Sequence, residues 1–555
     1  IITSCSPNTP AIEADTIFFG GPILTMDNAL EQVDAVAVKD GKIIMRGTKS
    51  DALSYQGSHT TLWNLQGKTL MPGFIDAHSH ISFEGLTSGM MVNLTQPPVG
   101  TIKTIPDLLA QLKERASVTP EGGWVVGFGY DDQALLEGRH PTRLELDSVS
   151  AKHHVVILHV SLHMVVANSL RLAAVNIGPQ TTDPVGGHIV RDTNGNATGL
   201  LLETAAMLAI PGYTPPVTVE NRRTYVENAL KSYASKGVTL GQEGYALPYM
   251  INDYLALQEE GRLPIRVVVL PSDIVAQAIN AGKYNPVFPD PEMLSQGGAK
   301  IVIDGSLQGY TGFLSEPYYV QQGDDANYRG EARGSRKHII EMMKELHDTG
   351  WQLYVHVNGD AAADIFLDGL KKIRADNPRV DARPIAIHAQ VLRNDQLKDM
   401  ADLGVIPSFF NLHTYYWSDL HFNKVLGPER TAKISALKTA QSLGMAFTLH
   451  ADTPVTPMEP MRIIWSAVTR KSSGGHVYGP DERIDVLSAL KAITINAARQ
   501  YFRDDSLGSI SVGKLADFVI LEENPLVVDA DHLKDIQVSA TLVGGKTIYM
   551  ADIQD

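Results

Sequence analysis

Between residues 70 and 449, eight short, apolar, β-branched runs alternate with amphipathic helical stretches, and this rhythm restricts the fold more than any other feature. The runs are Leu70–Ala77, Val238–Gln242, Ile265–Leu270, Ala299–Ile303, Gln352–Val357, Pro384–His388, Val405–Phe409 and Met445–Leu449. Helical periodicity fills most of the intervals, as in Val219–Lys236, Ser335–Thr349, Asp360–Ala375 and Glu429–Gly444. Strands that are apolar on both faces and joined by helices belong to a parallel sheet, because the helices cover those faces. Eight such units predict an α/β chain with a closed (β/α)8, or TIM, barrel. Its site is expected at the C-terminal ends of the strands.

Two parts of the chain break the rhythm. The stretch 82–216 is far longer than an ordinary connection and holds its own strands, Trp124–Gly127 and Val155–Leu158, and a helix, Ile105–Ala116. It is expected to fold as an inserted subdomain over the barrel mouth, the barrel itself spanning 71–501. The ends, 14–70 and 502–555, carry short runs such as Ile17–Phe19, Ile23–Thr25, Ala35–Val38, Lys42–Met45, Asp517–Leu521 and Val538–Val543. Gly20-Gly21, Asp40-Gly41, Gly513-Lys514 and Gly544-Gly545 read as the turns between them. Neither end buries a face alone at this size, so the two are expected to pair into a small β-sandwich.

Composition narrows the partners. A net charge of −15 with no basic stripe argues against nucleic acid, and no apolar run approaches the roughly 20 residues of a membrane span. Cys5 is the single cysteine, which rules out an intramolecular disulfide and a cysteine-based zinc module. Its setting, Ile2-Thr3-Ser4-Cys5-Ser6, resembles the end of a bacterial lipoprotein signal. The expectation is a lipid anchor at Cys5 and a place in the cell envelope or periplasm, with a frayed terminus and a cytoplasmic protein as the alternative.

The chemistry concentrates at the ends of the predicted strands. In Met71-Pro72-Gly73-Phe74-Ile75-Asp76-Ala77-His78-Ser79-His80, two histidines two residues apart present their imidazoles the same way. His356 ends the fifth strand, His388 the sixth, and Asp452 follows the eighth. A lone histidine after an apolar strand is usually a satisfied core residue. Four histidines and an aspartate at matching strand ends form a ligand set suited to zinc or a similar divalent ion. His153, His154, His338, His347 and His532 read as surface residues, and His450 as pointing away from the ligand side.

These motifs resemble the amidohydrolase superfamily, in particular its YtcJ-like branch, amidohydrolase family 3. The likeness runs from about Ala14 to Tyr549. It rests on Met71–His80, Gly129-Tyr130-Asp131-Asp132, Asn168-Ser169 after His163, Gly186–Asp192, Asp304-Gly305-Ser306-Leu307 and Gly508–Asp517. The resemblance implies that Lys300 reacts with carbon dioxide to give a carbamate bridging two metal ions, against the plain reading of a structural lysine paired with a carboxylate. One ion would then have His78, His80 and Asp452, and the other His356 and His388. It further implies a metal-activated water, with Asp452 shuttling the proton to the departing nitrogen. His163, Tyr130, Asp131 and Tyr310 are the candidates for substrate contact, Asp76 and Glu203 for supporting roles, and a homodimer is the common assembly. Two departures stand out. Ile387 occupies the place of the usual Glu before His388, removing an acceptor, and Gln308-Gly309-Tyr310 replaces Gly-Ser-Arg.

The function that follows is hydrolysis of a carbon–nitrogen bond in a small amide, such as an N-acyl or N-formyl compound. A heterocycle deaminase, with one metal and no bridging lysine, and a non-catalytic binding or regulatory barrel are the alternatives.

Overall fold

The computed structural model describes residues 12–27, 33–210, 216–321 and 325–552. Cys5 and its proposed anchor lie outside the described residues.

The central strands form as parallel ladders in two arcs. One arc has the order Leu294–Gln296, Arg266–Pro271, Val238–Ala246, Phe74–Ile75. The other has the order Ala299–Val302, Leu353–Val357, Ile385–His388, Ile406–Phe409, Thr448–Leu449. The fold is α/β and TIM-barrel-like. Among the described residues, however, hydrogen bonds do not close the arcs into one continuous barrel. A single bridge between Ser272 and Lys300 joins them at one seam. At the other, Asp452 N donates to His78 O at 3.2 Å and His80 N to Thr453 O at 2.8 Å.

Glycines explain two departures from the expected strands. The run Leu70–Ala77 splits at Gly73: Thr69–Pro72 joins the sheet of the chain ends, and only Phe74–Ile75 enters the arc. A Cβ at Gly73 would lie 2.2 Å from Thr239 Cγ2, so the strand passes there only without a side chain. The fourth barrel position is likewise broken at Gly297-Gly298. A Cβ on these residues would meet Leu270 Cδ2 at 2.4 Å and Gln352 O at 2.3 Å. Across that kink the chain changes partner, from Arg266–Pro271 to Leu353–Val357.

Strand alternation then sorts the side chains. Ile75, Leu240, Val268, Leu270, Tyr354, Ile385, Ile387 and Ile406, drawn from both arcs, share one apolar cluster. Their neighbours Val267, Val269, Ile301, Val355 and Ala386 face the helices in the larger core. The helices are close to expectation: Val219–Ser235, Arg336–Asp348 and Asp360–Asp376. The expected helix Glu429–Gly444 is instead two, Gly427–Lys433 and Leu437–Ser442. Between them Ser435 takes φ 47°, and the buried Arg470 guanidinium donates to Ile434 O at 2.8 Å and Ser435 O at 3.1 Å. Carbonyls turned toward that cation cannot continue the helix ladder.

The chain ends pair with each other in one hydrogen-bonded network of eight strands, whose two halves meet again where Ile43 N donates to Lys514 O at 2.9 Å and Ala516 N to Gly41 O at 2.8 Å. Thr69–Pro72 bridges the halves, lying antiparallel to Phe518–Leu521 and touching Thr16–Ile23 through the Ile23–Leu70 pair. Gly20-Gly21 is not a turn. The strand Thr16–Ile23 runs through it with a register shift against Val33–Lys39. Asp40-Gly41 does turn, both residues having positive φ, as a two-residue hairpin requires. Within 82–216 a separate six-stranded sheet forms, in the order Gly187–Arg191, Ala197–Glu203, Met164–Ala167, His154–His159, Trp124–Tyr130, Val92–Asn93.

Gly73→Ala is expected to cost about 1–3 kcal/mol, because the buried, β-branched Thr239 cannot swing away. A urea or thermal unfolding midpoint indistinguishable from the parent would contradict the close approach.

Candidate active site

The His78–His80 segment leaves its strand as a turn, and Asp76 builds that turn. The Asp76 carboxylate accepts from His78 N at 3.2 Å, from Gln242 N at 3.4 Å and from Ser79 Oγ. With Gly244 N donating to Ser79 O at 2.8 Å, the segment is clamped between strand Val238–Ala246 and residues 452–453. Each imidazole is then fixed by its Nδ1: His78 on Gln242 Oε1 at 2.6 Å, His80 on Gly244 O at 2.9 Å. Both partners are acceptors, so Nδ1 carries the hydrogen and Nε2 keeps a lone pair.

Those lone pairs converge. Nε2 of His78 and of His80 lie 3.4 and 3.6 Å from Asp452 Oδ1, and Lys300 Nζ is 3.1 Å from His78 Nε2. His388 Nδ1 is 3.9 Å from Asp452 Oδ2, and its Nε2 is 3.0 Å from His356 Nδ1. All six residues proposed as ligands from the sequence are therefore in one cluster. Nitrogen and oxygen ligands bound at about 2.0–2.1 Å around one tetrahedral ion sit roughly 3.3–3.4 Å apart, close to the His78–Asp452 spacing. One ligand atom each from His78, His388 and Asp452 falls within 4.8 Å of the others. Asp452 Oδ1 and His388 Nδ1 are buried with no hydrogen-bond partner among the described residues. A buried carboxylate oxygen facing two lone pairs is costly unless a cation lies between them. The donor set fits a divalent metal.

Electrostatics agree. Burial first, and then the Lys300 charge and neighbouring imidazoles, hold His78, His356 and His388 well below the usual histidine range, and His80 at about 3. All four are neutral and able to ligate. Burial pushes the Asp452 carboxyl up to about 8 against the pull of Lys300, and pushes Lys300 down to about 7 against Asp452.

Backbone conformation places some of these groups. Regular alternation would send His388 to the helix side with Ala386, but His388 adopts φ 73° and turns inward. Asp452 has φ 53°. With Leu162, Glu203 and Tyr245, these are five non-glycine residues of positive φ lining one cavity of about 150 Å³. Each such residue costs of order 1–3 kcal/mol, so the surrounding packing must hold them there.

The remaining expectations divide. His163 lines this cavity, its ring 5.5 Å from that of His356. Its Nδ1 is 2.9 Å from Glu203 Oε2, and Arg333 reaches the same carboxylate oxygen at 2.6 Å. Asp131 lines a larger adjoining cavity. Tyr130 instead points into the core of the inserted sheet, its hydroxyl 3.1 Å from His140 Nδ1, and Tyr310 packs edge-on against Tyr318. Neither lines these cavities. His450, read as turned away, joins the cluster just beyond the end of strand Thr448–Leu449. Its ring is 5.2 Å from those of His78 and His388, and both of its nitrogens are buried without a hydrogen-bond partner. His153 and His347 are buried, bonded to Thr119 O at 3.0 Å and Asn377 O at 2.9 Å. Ile387 is fully buried in the inner apolar cluster and offers His388 no acceptor.

A second group, Asp131, Asp132 and His159, also has closely spaced ligand atoms. Here Ser161 N donates to His159 Nδ1 at 3.1 Å, which leaves the hydrogen on Nε2, 3.2 Å from Asp132 Oδ1. That Nε2 makes no hydrogen bond among the described residues, and the group is held by charge at ion-pair distance.

With this geometry in hand, the comparisons with known proteins are decisive. The model of the amidohydrolase family matches residues 61–549. The chain belongs to the amidohydrolase family. It is a hydrolytic enzyme that acts on carbon–nitrogen bonds. It is similar to the putative amidohydrolase YtcJ of Bacillus subtilis, at 29% identity over 96% of this chain and 99% of that one. It is also similar to the N-substituted formamide deformylase of Arthrobacter pascens, at 27% identity over 96% and 98%. Among solved structures, an uncharacterized metal-dependent hydrolase from Pyrococcus horikoshii superposes with a TM-score of 0.73 at 26% identity, covering 93% of this chain and 99% of that one.

Gln242 was not legible as a site residue because its partner His78 is 164 positions away. It is also held by Tyr501, whose hydroxyl is 2.8 Å from Gln242 Nε2 and donates to Asp76 O at 2.8 Å. Gln242→Leu is expected to weaken divalent-metal affinity about tenfold to a hundredfold, the usual effect of losing an outer partner of a ligating histidine. Competition against a chromophoric chelator measures it, and unchanged affinity would remove Gln242 from the metal centre.

Proposed function

We propose that this amidohydrolase cleaves the carbon–nitrogen bond of a small N-acyl or N-formyl amide, using one or two divalent ions, zinc being the best match to the ligands. The carrying observation is the unpartnered, buried Asp452 Oδ1 between the His78 and His80 lone pairs. The formamide deformylase likeness favours the N-formyl class.

His78, His80 and Asp452 would hold one ion, and His356 and His388 the other. An ion held there acts as a Lewis acid toward water and the substrate carbonyl. Asp452 takes the proton of the attacking water and delivers it to the leaving nitrogen, which departs poorly as an anion. His163, steadied by Glu203, presents its other nitrogen to the cavity and orients the carbonyl group.

Lys300 joins the two halves as a carbamate in this reading. It is 2% exposed, and among the described residues no carboxylate lies within 4.0 Å of its Nζ, which disfavours a structural ion pair. Burial lowers its proton affinity to near neutrality. A neutral amine is the form that adds to carbon dioxide: its lone pair forms the N–C bond, a proton leaves, and a carboxylate results.

The test is metal analysis combined with turnover on N-formyl and N-acyl amines. Chelation is expected to abolish activity and divalent metal to restore it. Asp452→Asn should lower kcat by about 10²–10⁴ with bound metal measured alongside. Protein grown with ¹³C-bicarbonate should show a carbamate carbon resonance that Lys300→Ala lacks. Full activity in metal-free protein would overturn the proposal, and absence of the resonance in active protein would remove the carbamate from it.

A further inference from the structure

Beside the proposed metal centre lies a second, larger cavity of about 560 Å³. The two share Val455, and consecutive residues divide between them: Phe83 and Ser161 face the smaller, Glu84 and Val160 the larger. The larger space therefore adjoins the smaller one across Val455, and the mechanism above leaves it unused.

Its charge is of one sign. Glu84, Asp131 and Asp419 line it, and no lysine, arginine or histidine does. Asp419 is answered by His476 at 2.8 Å, and Asp131 lies 3.9 Å from His159, with His140 and His421 also within reach of its charge. Glu84 is half-buried and is bonded to the Thr87 hydroxyl at 3.4 Å. Among the described residues it has no cation within 4.0 Å. The opposite requirement, an apolar and polarisable wall, is met by Phe128, Tyr416, Trp417 and Val455. Trp417 Nε1 donates to Asp131 Oδ2 at 2.9 Å. That bond fixes the indole and adds electron density to its face, the best aromatic surface for a cation. Carboxylates in a low-dielectric cleft with an aromatic floor attract ammonium groups and repel anions.

We propose that this cavity binds a positively charged ammonium group on the part of the substrate remote from the scissile bond. The proposal rests on the hydrolytic reading of the neighbouring site for its role, but not for its test. The enzyme would then select amides of diamines or quaternary-ammonium amines, and discriminate against acidic and uncharged ones.

Direct binding tests this without turnover. Calorimetric titration of the full-length protein with benzyltrimethylammonium, and with neopentylbenzene as its uncharged isostere, should show the cation binding at least tenfold more tightly. Glu84→Gln should weaken the cation about tenfold and leave the isostere unchanged. Trp417→Leu, checked for folding by its thermal midpoint, should weaken the cation as well. Equal affinities for the two probes, no binding of the cation at millimolar concentration, or cation binding indifferent to Glu84→Gln would each overturn the proposal. Should the cation bind as expected while no amide is hydrolysed, the hydrolytic reading fails and the cation site stands.

Discussion

A carboxylate oxygen buried without a hydrogen bond is among the least tolerable groups a protein can contain, and the chain is arranged around one. Asp452 Oδ1 is enclosed with only imidazole nitrogens before it. Two backbone bonds enforce this meeting across 374 positions: Asp452 N to His78 O, and His80 N to Thr453 O. They stand at a seam between the two parallel arcs, so the element that helps bring the barrel together also assembles the ligands. A cation bound there would answer the buried oxygen.

The scaffold supplies the rigidity that this requires. Both arcs contribute to one inner apolar cluster directly beneath the ligands, and a far larger core lies between strands and helices. Such packing gives little by compression, which lets left-handed conformations persist at His388 and Asp452. Five of the residues with left-handed backbone line the cavity itself. The core stabilises; the rim holds the reactive groups in place.

How far the sequence spoke depended on the range of the interaction. The ligands His78, His80, His356, His388 and Asp452 were legible because each closes an apolar run, a local pattern. His450 lies beyond the end of strand Thr448–Leu449, where alternation no longer sets direction, and it joins the cluster although the sequence reading had turned it away. Other features have no local sign. The division of Leu70–Ala77 at Gly73 is dictated by Thr239, 166 positions later, whose methyl leaves no room for a side chain. The break at Ser435 is set by Arg470, and the tautomer of His78 by Gln242. The two chain ends are joined through Thr69–Pro72, which satisfies its backbone against Phe518–Leu521, a pairing that propensity cannot specify.

The departures from the family pattern gain meaning in the same terms. With Ile387 in the inner cluster, the interior beside His388 is apolar, and the ring is held instead through its Nε2, 3.0 Å from His356 Nδ1. Charged and polar groups gather on the wall of the cavity, where Glu203, His163 and Arg333 meet. That group ties the inserted sheet, which supplies His163 and Glu203, to the loop that carries Arg333 after strand Ala299–Val302. The cavity that holds the ligand cluster is therefore walled by insertion and barrel together.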